Sequence, residues 1–404
     1  MTDLKKNVPE LRFPEFEGEW EEKKLGDVLK AKSEGIKRGP FGGSLKKEIF
    51  IKKGYAVYEQ QNAIYNTQNF RYFISSEKYE EMKGFRVKRN DIIMSCSGTI
   101  GKLSKIPFDF KEGIINQALI RFRTNELVDV NYFLIYMRSN YMQRKILSSN
   151  PGSAIVNLIP VKELKNLSFP IPKKTEQQKI SDFFSKIDHQ IALEEQKLAL
   201  LEEQKKGYMQ KIFSQELRFK DDNGNDYPEW EEKKLGELYK VVMGQSPKSV
   251  NYTDDSSYTV LVQGNADLNK GRIYPRIYTK EITKLVDKGN ILLTVRAPVG
   301  EIGIAQFEAC IGRGICSIEG DRFIYHFLEM FGIQNKWQKI SQGSTFESIS
   351  GSEVREIQVG LPSSSEREKI SDFFSKLDQQ IELQEQKIES LKQRKKGLLQ
   401  KMFV

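Results

Sequence analysis

The sequence predicts a mixed α+β chain in which two similar, strand-rich globular domains alternate with two long helices. The first observation is a near-identical block at 176–213 and 366–404, beginning "EQQKISDFFSK" and "EREKISDFFSK". The second is that the segments between the blocks share only short fragments. The third is an apolar period of seven residues inside both blocks. A repeat of whole supersecondary units must be recognised before any local pattern is interpreted.

The shorter repeats define the domain boundaries. "ELRF" occurs at 10–13 and at 216–219, and "EWEEKKLG" occurs at 19–26 and at 229–236. Further on, "DIIMSCSGTIGKLSKI" from residue 91 is matched weakly by "NILLTVRAPVGEIGIAQF" from residue 290. Both read as strand, glycine-containing turn and strand. We therefore expect globular domains at 1–175 and 214–365, with helices at 176–213 and 366–404.

The two blocks have the heptad pattern of a coiled coil. Neither contains proline, and apolar residues recur at steps of four and three over five heptads. The predicted apolar seam consists of Ile180, Phe184, Ile187, Ile191, Leu198, Leu201, Ile370, Phe374, Leu377, Ile381, Ile388 and Leu391. Polar residues interrupt both seams at matching places, Glu194 with Gln384 and Lys205 with Lys395. The matched interruptions favour two helices that face each other.

If the two helices pair antiparallel, a direct repeat in sequence becomes a pseudo-twofold inverted repeat in space. Each helix would be a rod of roughly 55–60 Å, holding two different domains at a fixed spacing. That arrangement suits a DNA site with two half-sites and an unread gap. The simpler alternative is two independent amphipathic helices, each packed only on its own domain.

Charge supports nucleic-acid binding for one half of the chain. The formal net charge is +9, and residues 1–175 contain 31 basic and 20 acidic side chains. Residues 214–365 contain 18 basic and 21 acidic side chains. The first domain is therefore expected to bind phosphate, whereas bulk charge is uninformative for the second. No apolar run approaches membrane-spanning length and no signal peptide is expected, so we expect a cytoplasmic protein.

Catalytic and metal-binding patterns are missing from the sequence. An amino-methyltransferase would need an Asn/Asp-Pro-Pro-aromatic motif, and a nucleotide-driven motor would need GxxxxGK[ST]; the sequence has neither. Three cysteines without metal-type spacing and two histidines make a zinc site improbable. We therefore expect no catalytic residue, no metal and no cofactor on this chain.

The candidate DNA-binding residues lie in polar loops that follow strand-like runs. Arg, Asn and Gln can form paired hydrogen bonds to base edges, while Lys, Ser and Thr suit phosphate. Candidates in the first domain are Arg38, Ser44, Lys46, Lys47, Gln60, Gln61, Asn62, Ser97, Thr99, Lys102, Asn116 and Gln117. Candidates in the second domain are Gln245, Ser246, Lys248, Gln263, Asn265, Arg272, Arg296, Arg313, Ser344 and Thr345. For any single one of these, a turn or capping role is the alternative.

The repeated helix starts, the "RGPFGGSLKK" loop at 38–47 and the "GTIG" turn at 98–101 resemble the specificity subunits of type I restriction–modification systems. The resemblance covers essentially the whole chain. It implies two target-recognition domains, each reading half of an asymmetric site in double-stranded DNA. It also implies helices that set the spacing and bind two modification subunits, which methylate adenine with S-adenosylmethionine. Translocase–nuclease subunits using ATP and Mg would complete the complex.

Two other functions remain open at this point. A bivalent interaction protein could use its domains to bind proteins and its coiled coil as a strut. DNA affinity that falls steeply with salt would separate that function from a phosphate binder. A self-sufficient modification or restriction enzyme is disfavoured by the missing motifs, and methyl transfer by the purified chain alone would support it.

Overall fold

The computed structural model describes residues 7–148, 160–341 and 348–403. The chain divides into two compact units, one made of residues 1–193 and 387–404 and the other of residues 194–386. Each unit therefore contains one globular domain together with a part of both long helices. Among the described residues, no helix is long and apolar enough to cross a membrane.

The first globular domain is built from short strands and helices. Its strands are β1 (Ile36–Arg38), β2 (Tyr55–Tyr58), β3 (Phe73–Ile74), β4 (Ile92–Ser95), β5 (Leu103–Lys105), β6 (Gly113–Ile115) and β7 (Leu119–Phe122). Its helices are α1 (Lys32–Gly35), α2 (Gln60–Tyr65), α3 (Ser76–Glu81), α4 (Val130–Arg138), α5 (Asn140–Ser148) and α6 (Val161–Asn166). The long helix α7 (Lys174–Phe213) follows. Single 3-10 turns lie at Leu25–Val28, Gly42–Leu45, Lys47–Ile49 and Lys83–Phe85.

The second globular domain has more strands. They are β8 (Glu231–Lys234), β9 (Val241–Met243), β10 (Tyr252–Thr253), β11 (Thr259–Val262), β12 (Leu268–Asn269), β13 (Arg272–Ile273), β14 (Tyr278–Thr279), β15 (Leu285–Val286), β16 (Ile291–Thr294), β17 (Ile302–Ile304), β18 (Ala309–Ile311), β19 (Ile315–Ile318) and β20 (Gln358–Leu361). Its helices are α8 (Leu235–Leu238), α9 (Arg322–Ile333), α10 (Lys336–Ser341) and α11 (Gly351–Arg355), followed by the long helix α12 (Ser364–Lys401). Further 3-10 turns lie at Ser249–Asn251 and Asn265–Asp267.

Both domains contain the same arrangement of strands. In the first, an antiparallel sheet has the order β1-β7-β4-β5 and a second sheet has the order β3-β2-β6, with β2 and β6 parallel. In the second, the orders β9-β19-β16-β17 and β14-β11-β18 recur within larger sheets, with β11 and β18 parallel. Strands β4, β7, β16 and β19 are buried along their whole length, and their residues are apolar apart from Ser95, Arg121, Thr294 and Ser317. The mixed α+β fold class is confirmed.

The long helices run antiparallel within each unit. In the second unit, contacts between α7 and α12 join Glu194 to Gln384, Lys205 to Asp378 and Phe213 to Phe374. In the first unit, Asp188 pairs with Lys395, while Phe184 packs on Phe403, just beyond the end of α12. Residue numbers rise on one helix as they fall on the other. The predicted antiparallel pairing is thus confirmed within each unit.

The predicted seam residues lie on the covered side of the two helices. Buried members are Ile180, Phe184, Ile191, Ile370, Phe374, Leu377 and Ile388, and half-buried members are Ile187, Leu198, Leu201, Ile381 and Leu391. Ile180 and Phe184 also belong to the aromatic core of the first domain, and Ile370 and Phe374 to that of the second. The first turns of each helix therefore pack on a domain as well as on the other helix.

The polar residues that interrupt the seam all have polar partners. Gln384 donates from Nε2 to Glu194 Oε2 at 2.7 Å. Lys205 lies 2.6 Å from carboxylate oxygens of both Glu329 and Asp378, and Lys395 makes the matching bridge to Asp188. Polar pairs at seam positions fix the register of paired helices. The polar residues that interrupt the two seams at corresponding places in the sequence therefore make corresponding contacts in the structure.

Three repeated fragments of the sequence meet in one buried contact in each unit, here called the clamp. In the first unit, the Glu176 carboxylate accepts from Arg12 Nε at 2.8 Å and Nη2 at 2.7 Å, and from Trp20 Nε1 at 3.2 Å. In the second unit, Glu366 accepts from Arg218 at 3.1 and 2.7 Å and from Trp230 Nε1 at 3.0 Å. Both glutamates are buried in the first turn of a long helix, where the helix dipole favours a negative charge. The clamp joins the entry segment of each domain to the start of its helix.

Replacing Glu366 with Gln should destabilise the second unit by about 2 kcal/mol, because it removes the counter-charge of the half-buried Arg218 guanidinium and weakens its hydrogen bonds. The matched control is Glu368→Gln, an exposed glutamate on the same helix, which should change stability little. Urea unfolding followed by circular dichroism measures both variants. Equal stability of the two variants would contradict a structural role for the clamp.

Candidate nucleic-acid interface

In the first unit, the loops that follow β1, β4 and β6 meet the first turn of α2 at one end of the two sheets. The loop predicted at Gln60, Gln61 and Asn62 is wrong, because these residues begin α2. Strands β1 and β4 are both antiparallel to β7 and therefore run in the same direction, and β2 and β6 are parallel to each other. The segments that follow paired strands of the same direction therefore leave the sheet at the same end. Backbone hydrogen bonds join the loops to their neighbours: Asn116 N to Tyr58 O at 2.9 Å, and Cys96 N to Ala118 O at 2.8 Å. Gln60 Nε2 also donates to Thr99 O at 3.4 Å. Three loops and the start of α2, which follow four separate strands, thus form one surface, here called the loop surface.

The second unit repeats this arrangement with different side chains. Gln245 N donates to Ile311 O at 2.9 Å, and Arg313 N donates to Ser246 Oγ at 3.1 Å. The loop after β16 joins the others because Val295 N donates to Gly314 O at 2.9 Å. The same frame therefore presents a different set of polar groups.

One glycine in each unit lets the first loop touch a later turn, between β6 and β7 in the first unit and between β18 and β19 in the second. A Cβ at Gly39 would lie 1.8 Å from the carbonyl oxygen of Asn116. A Cβ at Gly244 would lie 2.2 Å from the carbonyl oxygen of Gly312. Only glycine allows this approach of two backbones. The loop surface is therefore fixed by backbone contacts that do not depend on the divergent side chains.

Most of the predicted residues are accessible to solvent. Exposed candidates are Ser44, Lys46, Lys47, Ser97, Thr99, Lys102, Gln117, Gln245, Lys248, Asn265, Arg272, Arg296 and Arg313. Half-buried candidates are Arg38, Gln60, Gln61, Asn116, Ser246 and Gln263. Ser344 and Thr345 fall outside the described residues.

Two candidates are held by partners outside the loop surface. Asn62 is 2 % exposed; its side chain accepts from Glu59 N at 2.7 Å and donates to Thr67 O at 2.8 Å, which caps α2. Arg272 lies in the β12–β13 hairpin and donates to Glu382 on α12 at 2.8 Å. The structure therefore brings neither the Asn62 amide nor the Arg272 guanidinium into the loop surface.

Arg296 and Arg313 line a cleft of about 370 Å³ in the second unit. Both are exposed, and neither guanidinium has a hydrogen-bonded acceptor or an ion-pair partner among the described residues. In the first unit the corresponding turns carry Ser97 and Gln117. Two free guanidinium groups in one cleft can bind a guanine edge or a phosphate.

Arg121, in β7, and Arg123, the residue after β7, are internal. Arg123 binds Asp91 with two hydrogen bonds of 2.7 and 2.8 Å. Arg121 donates to backbone carbonyls, including that of Arg86 at 2.6 Å. Burial and the neighbouring Arg123 lower the pKa of Arg121 to about 10. These two charges hold the sheet together and do not contribute to the basic surface.

One group of potential metal ligands lies among the described residues, in the second unit. The ligand atoms of His326, Glu329 and Asp378 lie within 4.8 Å of one another. The ammonium of Lys205 already lies between the two carboxylates. Burial acts to lower the pKa of Lys205, but the carboxylates outweigh it and raise that pKa above 10.5.

The pKa of Glu329 responds to the same contacts. Burial acts to raise it, but His326 and Lys205 bring it below 4.5. The lowered pKa of Glu329 means that this carboxylate stabilises the fold above pH 4.5, and the raised pKa of Lys205 means that this ammonium stabilises the fold below pH 10.5. This cluster is therefore an ion-pair network that is complete at neutral pH.

Comparisons with known proteins agree with this architecture. The family of type I restriction modification DNA specificity domains matches residues 17–203 and 227–393. The MjaX protein of Methanocaldococcus jannaschii, named as a type I restriction enzyme specificity subunit, is 27 % identical and is matched over 97 % of this chain and 95 % of its own length. The MjaVIII specificity subunit of the same organism is 24 % identical, over 98 % of this chain and 93 % of its own.

Solved structures share the fold. The S subunit of a type I restriction–modification system from M. genitalium has a TM-score of 0.57 and 18 % identity, covering 98 % of this chain and 99 % of its own. A chain from a study of complex assembly in a type I R-M system has a TM-score of 0.59 and 20 % identity, covering 95 % and 97 %. With the family match on both halves, the chain belongs to the DNA specificity subunits of type I restriction–modification systems, the non-catalytic components that recognise DNA sequence.

Proposed function

We propose that this subunit reads a split, asymmetric site in double-stranded DNA, with one half-site for each unit. The single observation that carries the proposal is the loop surface, which occurs twice on the same strands with different side chains. A constant frame with variable readout groups suits two different half-sites. Gln60, Thr99, Asn116 and Gln117 offer amide and hydroxyl groups in the first unit. The second offers guanidinium groups as well.

The subunit would act as a scaffold in the cytoplasm. The repeated helices support this part, because their sequence is kept where the domains diverge and their pairing fixes a register. We propose that two modification subunits bind there and methylate adenine with S-adenosylmethionine after flipping the base out of the duplex. Translocase–nuclease subunits, which carry ATP and Mg, would join the same complex. This chain would supply recognition and spacing, and no catalytic group.

Single-molecule mapping of N6-methyladenine in host DNA, with and without this gene, tests the proposal. We expect deletion to abolish methylation at one split motif with a fixed gap, because no other subunit would direct the enzyme there. Restoring the gene on a plasmid should restore the motif. An unchanged methylation map in cells whose modification subunits are active would contradict the proposal.

Replacing Arg296 or Arg313 with Ala should weaken binding to the mapped site about 5- to 150-fold and relax selectivity at one base pair, if the guanidinium binds a guanine. Arg272→Ala is the matched control, since this exposed arginine of the same unit pairs with Glu382 outside the loop surface. Competition binding with every single-base variant of the site measures both effects. An equal loss for Arg272→Ala would place the readout elsewhere.

Removing one heptad in register from both α7 and α12 should shorten the accepted gap by about three base pairs, because seven helical residues span about 10.5 Å and a base pair rises about 3.4 Å. The half-sites should stay the same. Leu200→Gln, at an exposed position of α7, keeps the helix length and should leave the gap unchanged. Methylation mapping of both variants decides, and an unaltered gap in the shortened variant would refute the spacing role.

The bivalent protein-binding alternative is tested by salt. Affinity for duplex DNA that falls steeply between 50 and 200 mM salt is expected of a phosphate binder. Salt-independent or undetectable DNA binding would favour the alternative instead.

A further inference from the structure

Phe41 is an exposed aromatic residue inside the loop surface of the first unit, and sequence reasoning did not select it. Its side chain is 68 % exposed. It lies two residues after Gly39, whose missing Cβ allows the loop to touch the Asn116 backbone. Ser44 Oγ donates to Phe41 O at 3.0 Å and holds the loop in a turn. A large apolar side chain is thus presented at a defined place among polar groups.

One face of the Phe41 ring is covered by its own domain. The guanidinium of Arg38 lies over the ring, 4.8 Å from its centroid. Insertion between two base pairs would require both faces of the ring. The arrangement leaves the outer face and the edge for contact, which favours a neighbour in a groove over a stacked pair of bases.

The surroundings of Phe41 are suited to the major groove. Gln60, Asn116 and Gln117 present amides that match base edges there. Lys46 and Lys47, in the same loop as Phe41, are exposed and can neutralise phosphates. The only apolar group that bases display in the major groove is the 5-methyl of thymine. In the second unit the corresponding loop position is Ser246, whose hydroxyl is engaged by Arg313 N.

We propose that Phe41 contacts the 5-methyl group of a thymine in the half-site read by the first unit. The inference rests on the proposed function. It specifies one base of that half-site and the side chain that contacts it. A second-unit loop without such an aromatic residue would read its half-site by hydrogen bonds alone at that place. Phe41 is therefore a specificity-determining residue of one half-site.

The test uses the complete complex with its modification subunits and duplexes that carry the mapped site. Each thymine of the two half-sites is replaced in turn by uracil, which lacks only the methyl group. At one position, we expect the wild-type complex to lose about four-fold in affinity, the value of one buried methyl group. The Phe41→Ala complex should bind the thymine duplex correspondingly more weakly and should no longer distinguish thymine from uracil there.

Two further variants serve as controls. Phe41→Leu keeps an apolar side chain and should retain part of the discrimination. Phe108→Ala removes another aromatic residue of the same unit, 73 % exposed and covered by Arg89 at 4.1 Å, in the segment between β5 and β6. It should behave as the wild type.

The outcomes distinguish a failure of the proposed function from a failure of the thymine contact alone. A wild-type complex without any sequence preference overturns the proposed function, and the thymine contact with it. A selective wild-type complex whose uracil response is unchanged in Phe41→Ala overturns the thymine contact alone. Half-sites without thymine overturn it equally.

Discussion

The fold of each unit depends on one buried carboxylate at the start of a long helix. Glu176 and Glu366 are each held by an arginine and a tryptophan from the segment that enters the domain. A carboxylate that neutralises a guanidinium and accepts from an indole leaves little freedom in the geometry of the contact. The direction in which each helix leaves its domain is therefore set by residues that recur in both halves of the sequence.

The division between repeated and divergent residues corresponds to a division of roles. Repeated residues form the clamp, the helix seam and its polar pairs, such as Lys205 with Asp378 and Lys395 with Asp188. Divergent residues lie in loops whose backbones are fixed by close approaches at Gly39 and Gly244. Side chains can therefore change in the loops without disturbing the frame. This separation is what a protein needs when its recognition specificity differs between two halves.

The helices, their pairing and the order of domains could be predicted because a period of seven is a local signal and the two copies confirm each other. The loop surface was predicted only in part, because exposure depends on contacts between distant strands. Asn62 has the right chemistry, but it caps α2, and Arg272 pairs with a helix more than a hundred residues away. Phe41 was missed because an apolar residue in a loop carries no sign of exposure in the sequence.

The central proposal is that each unit reads its own half-site. It is tested most directly by a chain in which residues 216–362 are replaced by a second copy of residues 10–172, so that both clamps are kept. Methylation mapping should then find a split motif in which both half-sites have the sequence that the first unit reads. A motif that keeps two different half-sites, or that is not split, would contradict the account.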